Sequence, residues 1–91
     1  MSLHTRELDT AWNKLGMEIQ HGRHVIAKLK VDGKLILTTG RSHGAGNLDG
    51  NIPHKIRGQM KLTKSQFDDA IACPLTRVGY LDILRSQGLI S

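Results

Sequence analysis

Only one cysteine, Cys73, occurs in the 91 residues, so neither an internal disulfide framework nor a multi-cysteine zinc site can form. Aromatic residues are equally scarce: Trp12, Phe67 and Tyr80 are the full set. The core must therefore be aliphatic, and a platform of stacked aromatics for single-stranded nucleic acid is not expected. No apolar run approaches the roughly 18 residues of a membrane span, and the N-terminus lacks the charged-then-apolar order of a signal peptide. A reducing, cytoplasmic setting without membrane attachment is expected. The length suits one domain, 1–91, with a single modest core.

What the chain has in excess is positive charge. Thirteen Lys and Arg stand against eight Asp and Glu, a formal net charge of +5. Such a field draws polyanions, nucleic acid foremost, although an acidic protein would satisfy it as well.

From Thr5 to Leu15 the apolar Leu8, Ala11, Trp12 and Leu15 mark one face of a helix, with Gly16 as its C-terminal cap. Trp12 reads as a core anchor. The segment 21–30, HGRHVIAKLK, alternates Val25, Ala27 and Leu29 against His24, Ile26, Lys28 and Lys30, which is the period of a half-buried strand. A three-residue turn with Gly33 in the left-handed conformation would pair Lys30 with Lys34, Leu29 with Leu35 and Ala27 with Leu37. Leu35, Leu37 and Thr39 would then face the core, and Lys34, Ile36 and Thr38 the solvent.

The glycine-rich stretch 40–51 has no period and lacks phosphate-loop spacing, so it reads as a mobile loop. Ile52 to Lys61 alternates again, suggesting a third strand with Ile52, His54 and Ile56 inward and Pro53 at its start or at an edge. Thr63-Lys64-Ser65-Gln66 is a capping box for a helix ending near Ala72, ahead of Pro74. Thr76 caps a last helix with Tyr80, Leu81, Ile83 and Leu84 inward, closed by Gly88 and Leu89.

The expected fold is α+β: a double-stranded-RNA-binding-type α-β-β-β-α core with a three-stranded antiparallel sheet and an extra C-terminal helix. Lys28, Lys30, Lys34, Lys55, Arg57 and Lys61 would share its open face. Phosphate contacts there, with Arg23 at the strand entry, would bind RNA. An imidazole exchanges protons near neutral pH, and His24 stands in line with Lys28 and Lys30 as a candidate acid/base.

Several short motifs resemble the HicA toxins, small basic mRNA interferases of this fold. Gly22-Arg23-His24 looks like the family's Gly-Ser-His strand entry, with Arg23 in place of serine. Pro53-His54 resembles the end of its sheet, and 80–89 (YLDILRSQGL) its closing helix. The resemblance implies His24 as catalytic histidine, RNA as substrate, no metal or other cofactor, and an acidic antitoxin as partner. Two other readings stay open. One is a non-catalytic nucleic-acid-binding or phage-type accessory module. The other is a metal-dependent HNH-like nuclease using His43, Asn47 and His54, although that motif needs a helix carrying its last ligand and His54 falls in a strand pattern. Cys73 beside Pro74 has no evident paired base and makes a poor nucleophile.

Overall fold

The computed structural model describes residues 3–42, 47–48, 50–72 and 75–90. In chain order these form β1 (Leu3–His4), α1 (Thr5–Lys14), β2 (Glu18–His21), β3 (Val25–Val31), β4 (Lys34–Arg41), β5 (Asn47–Leu48), α2 (Ile52–Gln59), α3 (Lys64–Ala72) and α4 (Arg77–Ser86). The chain is α+β. Its main sheet is a three-stranded antiparallel meander, β2-β3-β4, and β1 pairs separately with β5. No helix among the described residues is long and apolar enough to cross a membrane.

α1 buries the stripe its spacing implies, Leu8, Ala11 and Trp12, with Leu15 following at its C-cap. Its N-terminus is closed by His4: Nδ1 accepts from the Arg6 N–H at 3.1 Å, while the Glu7 carboxylate accepts from the His4 N–H at 3.2 Å. This is a capping box with imidazole in the place usually held by a hydroxyl. At the other end Gly16 has φ +77°, and the Met17 N–H donates to the Trp12 carbonyl at 2.9 Å. These are the left-handed residue and long-range bond of a Schellman ending.

The third strand of the sheet is β2, not the segment 52–61. The apolar residues Ile52, Ile56 and Met60 recur every fourth position, a spacing that serves helix and strand alike. A strand there would have buried His54, whereas the helix α2 turns it outward and buries Pro53 and Ile56 instead. Pro53 in the first turn costs α2 nothing, because an N–H in that turn has no intrahelical partner. β2 is hard to read from sequence because three of its four residues are exposed and only Ile19 is half-buried.

The β3–β4 turn also differs from expectation. Asp32 and Gly33 both have positive φ, 52° and 80°, giving a two-residue turn of the type that matches strand twist. Lys30 therefore pairs with Leu35, and neither the Lys30–Lys34 nor the Leu29–Leu35 pair forms. Left alone, this register would split the apolar set between the faces. A bulge leaving Ile36 unpaired restores it, so that Leu29 opposes Leu37 and Ala27 opposes Thr39. Leu37 and Thr39 are buried as expected, but Leu35 is 54% exposed.

Val25, Ala27, Leu29 and Leu37 meet Trp12, Phe67, Tyr80 and the buried residues of the helices in one core cluster. Leu3 and Leu48, paired between β1 and β5, belong to it, so part of the 40–51 stretch is structured and anchored. The Tyr80 hydroxyl donates to the Met60 carbonyl at 2.8 Å, and burial pushes its phenol well above the ordinary tyrosine range. α3 and α4 carry the expected caps: Thr63 with Gln66, and Thr76 accepting from the Gly79 N–H. After α4, Gly88 has φ +79° and the Leu89 N–H donates to the Leu84 carbonyl at 3.0 Å. Tyr80 and Leu84 are buried while Leu81 and Ile83 are half-buried.

α2 closes with the same motif but a different residue. Lys61 takes the left-handed position at φ 62°, with the Leu62 N–H donating to the Arg57 carbonyl at 3.2 Å. A side chain there costs about 1 kcal/mol relative to glycine. Lys61→Gly is accordingly expected to raise the unfolding free energy by about 1 kcal/mol, measured by urea denaturation. An unchanged or lowered midpoint would show that the Lys61 side chain outweighs its backbone strain.

Candidate nucleic-acid groove

His24 immediately precedes β3 and, by the alternation of that strand, lies on the face opposite the core with Ile26 and Lys28. Cross-strand pairing adds Gln20 and Gly40 beside Ile26, and Glu18 and Thr38 beside Lys28. α2 packs along β4 and is tied to it by Thr39, whose hydroxyl donates to Gln59 Oε1 at 2.7 Å. Residues of β3, β4 and α2 line a groove of about 490 Å³. His24, Thr38, Arg41, Lys55 and Gln59 supply its polar walls, and Ile26, Leu48, Ile52 and Ile56 its apolar floor.

The polar walls differ in freedom. Arg41 is committed: Nε and Nη2 donate to the two carboxylate oxygens of Asp9 at 3.0 and 2.8 Å, a bidentate pair whose arginine side chain is 8% exposed. That pair fastens the end of β4 to α1 and is structural in role. His24 and Lys55 are both exposed, and neither side chain makes a hydrogen bond or ion pair among the described residues.

Gly40 keeps the floor open beside them. A Cβ there would lie 2.9 Å from the Val25 carbonyl oxygen and 3.0 Å from Ile26 Cδ1, closer than packed atoms tolerate.

The six cations expected on one sheet face do not share it. Lys28 and Lys30 are on β3, and Lys30 is paired with Glu18 at 3.0 Å. Neither lines the groove, so the cations expected nearest His24 are replaced by Lys55. Lys34 sits at the start of β4, at the hairpin end, and Arg23 is exposed in the loop before β3. Lys55 and Arg57 project from α2, with Lys61 just after it. Arg57 is 2.6 Å from His54 Nδ1, and these two border a separate cleft of about 370 Å³ with Pro53, Lys64 and Phe67. Helix periodicity over 52–60 would have separated Lys55 from Arg57 and placed Gln59 beside Lys55.

For the metal-dependent reading, His43 lies outside the described residues, as does Cys73. His54 is on a helix, as that motif asks, but its ring contacts Arg57. Among the described residues no group of three His, Cys, Asp or Glu could hold a metal ion. Comparison with known proteins returns no matching family model, no matching curated protein and no matching solved structure.

Proposed function

We propose that this protein is an RNA-cleaving enzyme of the HicA-like kind, working in the groove between the open sheet face and α2. The observation that carries the reading is the convergence on that groove of an exposed histidine and an exposed lysine, each without an intramolecular partner among the described residues. The run α1, β2, β3, β4, α2 supports the double-stranded-RNA-binding-type core, with α3 and α4 as additions after it. The excess of positive charge supports a polyanionic substrate.

RNA brings its own nucleophile. His24 would take the proton of the 2′-hydroxyl as that oxygen bonds to phosphorus, and the 5′-oxygen of the next nucleotide leaves, to be protonated by the imidazolium or by water. Lys55 would balance the charge that builds on the phosphorane. The products are a 2′,3′-cyclic phosphate and a free 5′-hydroxyl. A toxin of this kind implies an acidic antitoxin, and the exposed His24 and Lys55 on a chain of net positive charge suit such a cover.

Lys55→Gln is expected to weaken RNA binding and to lower the slope of log affinity against log salt by about 0.7, the contribution of one phosphate contact on a single strand. Lys30→Gln should leave the slope unchanged, because Lys30 is engaged by Glu18. Fluorescence titration over a range of salt concentrations measures both. An unaltered slope in Lys55→Gln would remove the groove from the binding site. RNA bound but left intact by the wild-type protein would leave a binding module in place of the enzyme.

A further inference from the structure

We propose that the groove beside His24 receives one unstacked nucleobase, and that Gln59 selects the keto bases, guanine and uracil, over the amino bases, adenine and cytosine. The proposal rests on the RNA reading above and names what that site reads.

Gln59 is the last residue of α2 and is half-buried in the groove wall. Its side-chain oxygen accepts from the Thr39 hydroxyl at 2.7 Å, which fixes the orientation of the amide, and Thr39 is itself only 3% exposed. A carboxamide with its acceptor tied down offers a ligand its N–H donors, and those of Gln59 have no partner among the described residues. Donors fixed in this way meet a base carbonyl favourably and an exocyclic amine unfavourably.

The surroundings fit a base more closely than a phosphate. Half-buried Ile26 and exposed Ile52 give the groove an accessible apolar surface, suited to the flat face of a heterocycle. The volume of about 490 Å³ is within the range of roughly 300 to 1,000 Å³ common for small-molecule sites. His24 and Lys55 are exposed where Gln59 is half-buried. A nucleotide entering base first would therefore leave its phosphate with the histidine and the lysine, so one residue reads the base while two others face the backbone.

The test uses 2′-O-methyl tetranucleotides of uracil and of cytosine, which differ at the keto or amino group and lack the nucleophile for cleavage. Wild-type protein is expected to bind the uracil strand about tenfold more tightly, the discrimination worth of a well-placed base contact. Gln59→Leu should bring the two affinities together, and Gln59→Glu, which offers only acceptors, should invert the preference.

Should either variant fold poorly, wild-type protein titrated with uridine and cytidine 5′-monophosphates decides the matter. The Gln59 side-chain NH₂ resonance should move with the first and not with the second. Equal affinity of the wild type for both strands, an undiminished preference in Gln59→Leu, or an unmoved amide resonance would each overturn the proposal. Uracil selection by a protein that cleaves no RNA would overturn the nuclease reading and leave base selection standing.

Discussion

His24→Ala is expected to slow RNA cleavage by about 100- to 10,000-fold, the usual consequence of losing a general base, while RNA affinity and thermal stability stay nearly unchanged. The second half of that expectation comes from the surroundings of the residue. His24 is exposed and its side chain makes no bond among the described residues, so its removal should cost folding no more than about 0.5 kcal/mol.

A loss of rate with intact binding separates a chemical role from a structural one, because removing only the proton acceptor leaves the groove, Lys55 and Gln59 in place. His54→Ala is the matched control. It too is an exposed histidine, but it borders the other cleft beside Arg57, and cleavage should persist. Gel analysis of a labelled RNA with each purified variant measures the effect. Cleavage by His24→Ala at the wild-type rate, or no cleavage by the wild type, ends the reading.

How much of this was legible in the chain depends on how many residues each signal uses. α1, α3 and α4 were readable because each combines an apolar stripe with a local stop or start: Gly16, the Thr63–Gln66 box, and Thr76 with Gly88. Those interactions are made within a few residues, and the structure contains them. α2 was not readable because a spacing of four residues satisfies both periods. The choice against a strand is made by the partners of Ile56 and Met60 in the core, which lie far along the sequence. The hairpin register failed for a related reason. Asp32-Gly33 prefers the tight turn, and the cost to the apolar pattern is absorbed by leaving Ile36 unpaired, a compensation with no local sequence mark.

These two errors explain what happened to the site. His24 lies at the strand entry that the alternation before Val25 implies, a pattern that needs nothing distant. Its companions were misplaced. Treating 52–61 as a strand put Lys55, Arg57 and Lys61 on one flat face with Lys28 and Lys30. The helix instead brings Lys55 and Gln59 to the groove and sends Arg57 to another cleft. Gln59 in particular could emerge only once α2 lay against Thr39 of β4.

The largest stability effect outside the core is expected at Gly16, through a residue 61 positions away. Arg77, the first residue of α4, donates from Nη1 to the Leu15 and Gly16 carbonyls at 3.0 and 3.1 Å, and from Nη2 to the Lys30 carbonyl at 3.2 Å. One guanidinium thus closes the C-terminus of α1, where its charge is also favoured by the helix dipole, and holds α1, β3 and α4 together. Gly16 makes room for it. A Cβ at that position would lie 2.8 Å from Arg77 Cδ and closer still to Nη1, on a backbone whose φ of +77° already disfavours a side chain by about 1 to 2 kcal/mol. Gly16→Ala should therefore destabilise by about 3 kcal/mol, from backbone strain and from displacing the guanidinium. Arg77→Ala should cost about 2 kcal/mol through the loss of hydrogen bonds from a charged donor. Their combination discriminates the cause: with Arg77 removed nothing remains for the new methyl to displace, so Gly16→Ala should then cost only its backbone strain. The double variant is expected to fall about 1 to 2 kcal/mol short of additivity in urea unfolding. Strict additivity would show that the two residues act independently and that Arg77 does not hold the end of α1.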